Sequence, residues 1–172
     1  MKWKLISFSL LLLIASRSYA GTADIQFRGT VIERAACTIN NGNDIMVNFG
    51  DIDVNYHDWL SGAYDRIIPY SFDCGADTPA TVRLTLIGVP MVGEVPAYAD
   101  AAVIQTSVDR LGIFVRMNNN PFILNQPVTI STASIPEIKV SPLAETGIDL
   151  NPVASESGGL FTASAKLLID YQ

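Results

Sequence analysis

An all-β sandwich is the fold this sequence predicts, on three observations. No segment longer than about ten residues holds a helical period of apolar residues. Short runs rich in Val, Ile, Leu and Phe alternate instead at period two, the repeat of a strand with one face on a core. Clusters of Gly, Pro, Asn and Asp punctuate these runs at the spacing of a two-sheet sandwich.

Residues 1–20 read as a signal peptide. Lys2 and Lys4 make a basic start, residues 5–15 are an almost unbroken apolar run, and Ser18 and Ala20 put small residues at the cleavage positions. The apolar run is too short for a permanent span, so no membrane insertion of the mature chain is expected. Removing it leaves 152 of the 172 residues, about one domain and enough to bury a core. Lys2, Lys4 and Arg17 go with it, so 8 of 11 basic residues remain against 17 acidic ones and the formal charge falls from −6 to −9. That balance excludes a nucleic-acid partner and shows no sign of an anionic membrane target.

Cys37 and Cys74 are the only cysteines, and export carries them to where disulfides form, so they are paired. Closing this loop of 38 residues is worth about 4 kcal/mol in the chain-entropy model. Two cysteines with no histidine nearby do not make a metal site.

In chain order, residues 25–32 alternate, with Ile25, Phe27, Gly29 and Val31 on one face. A glycine inside a strand marks a bulge or the close approach of another backbone. The turn formers of 40–44 include Asn41-Gly42, a hairpin signal, so residues 45–50 are expected to return as a strand. Residues 66–74 are strand-like, with Pro69 suggesting an edge or a bulge. In 81–88, Val82, Leu84 and Leu86 share one face, and residues 90–102 have no strand period. Strands follow at 111–117, 122–124 after an Asn-rich turn, 127–130 and 135–140. From Gly159 the chain alternates once more, placing Phe161, Ala163, Ala165, Leu167, Ile169 and Tyr171 on one face up to Gln172.

Chemistry is sparse. His57 lies near Asp51, Asp53, Asp58 and Ser61, but a triad is assembled by geometry and no nucleophile elbow accompanies it. The three aspartates lack the spacing of a calcium loop. Tyr56, Trp59 and Tyr64 could stack on a sugar, and core packing is the stronger reading. No catalytic residue, metal or cofactor is expected.

Four features give the mature chain a resemblance to a pilin subunit of the chaperone-usher pathway of Gram-negative bacteria. An alternating segment containing Gly29 precedes Cys37; Cys74 closes a staple in the first half; Gly159 is the fourteenth residue from the C-terminus; and Tyr171 is penultimate. The stretch from Cys37 to Gly42, continuing through Val47 to Ile52, is most similar to minor tip adaptors of P-type or type 1 pili, with a rod or terminator pilin as alternatives.

The resemblance implies an incomplete immunoglobulin-like sandwich lacking its final strand and completed by donor-strand exchange. Residues 21–35 would be the donor extension, offering Ile25, Phe27, Gly29 and Val31 to a neighbour, and 36–172 the pilin domain. Gly159, Phe161, Ala163, Ala165, Leu167, Ile169, Tyr171 and Gln172 would form the strand that borders the groove and meets the chaperone. Implied partners are a periplasmic chaperone, an outer-membrane usher and neighbouring subunits, with export to a cell-surface fimbrium. The competing reading is an exported carbohydrate-binding or hydrolytic sandwich using residues 51–64.

Overall fold

Alternation becomes burial most cleanly in residues 81–87. The computed structural model describes residues 25–29, 37–53, 61–75, 78–97, 99–147 and 159–171, so the signal-peptide expectation and His57 lie outside it. Ten strands are found among the described residues: β1 (Thr38–Ile39), β2 (Arg66–Ile67), β3 (Phe72–Asp73), β4 (Thr81–Ile87), β5 (Val103–Gln105), β6 (Leu111–Met117), β7 (Asn120–Pro121), β8 (Val128–Ser131), β9 (Ile138–Ala144) and β10 (Lys166–Asp170). All pair antiparallel.

Three sheets result. One has the order β10-β4-β8, a second the order β2-β9-β6-β5 with β7 on β6, and β1 pairs with β3. Val82, Leu84 and Leu86 of β4 and Ile130 of β8 share a core with Ile113 and Val115 of β6 and Ile138 and Val140 of β9. The two larger sheets are therefore the halves of a sandwich, held by the apolar face that the period of two created. The all-β expectation holds.

Sheet two is buried on its outer face as well. Ala99, Ala102, Val103, Phe114 and Leu143 form a second core cluster, with Met91 and Val95 packed on it. Residues 90–97 and 99–102, in the stretch without a strand period, are thus a flap fastened to β5 by Met91 N–H donating to Val103 O at 2.8 Å. Gly112 is where the flap presses closest: an ideal Cβ there would lie 2.3 Å from Val103 Cγ1 and 2.6 Å from Met91 Sδ. β5 itself was not foreseen, because three residues are too few to show a period.

Prolines explain two departures. The strand expected over 66–74 is split, β2 joining β9 while β3 joins β1. Pro69 has no N–H to continue the ladder, and Tyr70 N–H turns back to Ile68 O at 3.0 Å. β9 starts later than the expected 135 and runs through Pro142 to Ala144. Ile138 O accepts from Ile68 N–H on the β2 side, so by alternation position 142 also faces that side. β2 covers only Lys139 and Val140, so the N–H that Pro142 lacks would have had no ladder partner there.

The hairpin expected at Asn41-Gly42 does not form. Asn40–Gly42 is a single 3-10 turn, and β1 pairs with β3 instead of with residues 45–50. The reason is the Cys37–Cys74 disulfide, with Cα atoms 4.1 Å apart. It sits one step beyond the Thr38↔Asp73 and Ile39↔Phe72 pairs and imposes that register.

The chain divides into two units, Met1–Ile32 and Glu33–Gln172. Of the first, residues 25–29 are described: they are neither helix nor strand, and Ile25 and Phe27 are 76% and 91% exposed. Val31 lies outside the described residues, as does Gln172.

Candidate functional site

Among the described residues β10 is the edge of its sheet. Its ladder to β4 sets Leu167 opposite Leu86 and Ile169 opposite Leu84, so the alternating apolar residues enter the core from one side. On the other face Asp170 opposes Arg83, whose Nε donates to Asp170 Oδ1 at 2.6 Å. This pair is over a third exposed on the arginine side, so it aligns the strand more than it stabilises it.

The strand expected over 159–172 is regular only across Lys166–Asp170. Ser107 N–H donates to Thr162 O at 2.8 Å and Thr162 N–H to Ser107 Oγ at 3.0 Å, so the chain is first tied to the end of sheet two before it reaches β4. Gly159, with φ +79°, makes the turn into this segment. Phe161, Leu167, Ile169 and Tyr171 are only half-buried against the main core, while Ala163 and Ala165 are exposed.

A second segment faces the same part of the core. Ile45, Val47 and Phe49 are half-buried and Met46, Asn48 and Gly50 exposed, a strand's alternation without a strand's partner. Among the described residues no backbone–backbone hydrogen bond joins 45–50 to another segment. The stretch from Cys37 to Phe49 and the terminal segment meet at two points. The rings of Phe49 and Phe161 lie 6.0 Å apart, and Cys37 N–H donates to the Tyr171 hydroxyl at 2.5 Å. Residues 37 to 49 thus run antiparallel to 161 to 171, touching at both ends.

Between those ends lie two strand-like walls whose apolar residues (Ile39, Val47 and Phe49 on one side, Leu167 and Ile169 on the other) are half-buried on one core. Such a slot has the chemistry of a strand-accepting site: an apolar floor beside a β10 edge that, among the described residues, pairs with β4 alone. Both segments carry their alternation in the sequence, where the terminal one is expected as a strand and 45–50 as the return of a hairpin.

The site holds no acid-base machinery among the described residues. Tyr64, a candidate sugar platform, has its hydroxyl accepting from Asp53 N–H at 3.0 Å, a structural contact. Tyr70 is perturbed for a structural reason too: burial pushes its pKa from 10.0 up to about 12, and its hydroxyl donates to Pro136 O. The folded state therefore favours the neutral phenol. Its stabilising effect is complete below pH 10 and is lost as pH rises to about 12. Urea midpoints should fall more steeply across that window for the wild type than for Tyr70→Phe; equal slopes would remove the buried phenol as the cause.

No family model matches the chain. It is 30% identical over 172 residues to the uncharacterized fimbrial-like protein YfcQ of Escherichia coli (strain K12), covering 96% of this chain and 98% of that protein. In fold it is similar to the P pilus adaptor subunit PapF, with a TM-score of 0.55 and 23% identity over 81% of this chain and 98% of that one. An all-β sandwich matched along nearly its whole length by a fimbrial-like protein at 30% identity, this chain belongs to the fimbrial-like proteins.

Proposed function

We propose that this pilus structural subunit completes its sandwich with a strand taken from another chain and lends its own extension onward. The observation that carries the reading is the slot: two apolar walls on one core, with β10 paired on one side only among the described residues. Because the walls run antiparallel to each other, an incoming strand is parallel to one and antiparallel to the other. Backbone hydrogen bonds then supply affinity, and alternate side chains covering the half-buried floor supply specificity.

A periplasmic chaperone fills the slot first, and the outer-membrane usher is where the next subunit's extension replaces it. Gly159, Phe161, Ala163, Ala165, Leu167, Ile169, Tyr171 and Gln172 belong to the accepting wall. Ile25, Phe27, Gly29 and Val31 are the donated positions, and the exposure of Ile25 and Phe27 suits residues destined for another chain's core. The likeness to a P pilus adaptor and the resemblance of residues 37–52 to adaptors favour a minor tip position on a surface fimbrium. The role is structural, without catalysis or cofactor.

Deleting residues 21–31 tests the donor half. The variant should still fold and still accept a donor peptide, yet fail to attach to the preceding subunit, read as loss of the subunit-pair band on an unboiled gel. Attachment that survives the deletion would overturn the donor assignment.

A further inference from the structure

The wall formed by 45–50 has no ladder, yet Phe49 is held over the core opposite Phe161. A side chain supplies the tie. Arg66 Nη2 donates to Phe49 O at 3.0 Å while its Nη1 donates to Asp65 O at 2.9 Å. The guanidinium is a planar, rigid fork, so these two carbonyls are fixed relative to each other by one group.

The fork stands on a firm base. Arg66 lies in β2 opposite Val140 of β9. The Asp65 carboxylate accepts from Arg116 Nη2 of β6, and the same nitrogen lies 3.4 Å from Ser141 Oγ of β9. The Arg116 guanidinium also sits 5.5 Å over the Phe114 ring, and its Nε is buried without a hydrogen-bond partner among the described residues. Asp65 supplies the carboxylate that pairs this enclosed charge, so the Asp65-Arg116 pair anchors the turn from which Arg66 reaches out.

Resting on the strand-accepting reading above, we infer that Arg66 is a positioning residue that holds the Phe49 wall in place while the slot is empty. Once a strand is seated, its own backbone bonds hold that wall. Arg66 therefore acts on the readiness of the empty slot, and its loss slows capture without hastening release. A residue that merely stabilised the fold would not separate the two rates in this way.

The test is peptide-binding kinetics on the mature chain, refolded at sub-micromolar concentration and captured on a sensor, with a synthetic peptide of residues 21–35 as probe. Arg66→Met keeps the apolar stem and removes both donors; its association rate should fall about tenfold and its dissociation rate stay within about twofold. Arg66→Lys retains one donor but no fork and should associate about threefold more slowly than wild type. An unchanged association rate for Arg66→Met, or a loss appearing in dissociation, overturns the inference. If Arg66→Met does not fold, an unchanged association rate for Arg66→Lys overturns it. A wild type that binds no peptide overturns the slot itself, and with it this role, whereas wild-type binding matched by Arg66→Met overturns the role of Arg66 alone.

Discussion

A peptide of residues 21–35 should raise the melting temperature of the mature chain by about 10–15 °C when its concentration is about a thousandfold above its Kd. A ligand at that excess stabilises the folded state by about 4 kcal/mol, and in a domain of this size each kcal/mol moves the midpoint by about 3 °C. The proposed binding site is the floor left half-buried by Val47, Phe49, Leu167 and Ile169, together with the β10 edge that has no partner strand among the described residues. Covering that floor removes apolar surface from water, and pairing the edge satisfies backbone groups that otherwise face solvent. Without peptide the same surface is an aggregation site, so light scattering should rise with concentration and fall when peptide is added. Differential scanning calorimetry checks the shift. A midpoint that moves less than about 2 °C at saturation would show that the chain closes its own sheet.

Removing the disulfide has an effect of similar size, through a different state of the chain. Cys37→Ala with Cys74→Ala should cost about 4 kcal/mol, chiefly because the unfolded chain regains the freedom that the cross-link had removed. Against a usual total of about 5–15 kcal/mol this is a large fraction. The folded state loses as well, since β1 and β3 are two residues each and cannot persist as an isolated pair. Cys37 N–H also carries the contact to the Tyr171 hydroxyl, so one end of the slot opens. Urea unfolding of the peptide-complemented protein should show the midpoint falling by about 2 M at a slope near 2 kcal/mol/M. A fall below about 0.5 M would mean that the variant's unfolded chain is already ordered around positions 37 and 74.

How much of this was legible depended on the range of the interaction involved. The long apolar runs became strands where expected: β4 over Thr81–Ile87, where the period of two puts Val82, Leu84 and Leu86 on the core, and β6 over Leu111–Met117, whose near-continuous apolar run suits a strand covered on both faces. The disulfide was legible from compartment and count alone. Short strands were not: β5 carries three residues, and its burial comes from the flap over sheet two, a contact distant in sequence.

The slot divides along the same line. Alternation determined that residues 45–50 and the terminal segment each present one apolar face, and that Ile25, Phe27, Gly29 and Val31 form a third such set. It could not determine which of these faces is left without a partner. Asn41-Gly42 called for a local hairpin, and local turn chemistry lost to the Cys37–Cys74 cross-link, which fastened β1 to β3 and left 45–50 unladdered. Pairing choice is a competition among distant segments, settled here by the disulfide and by Pro69. The residues therefore specified what each strand offers, and only the tertiary structure decided which edge remains open.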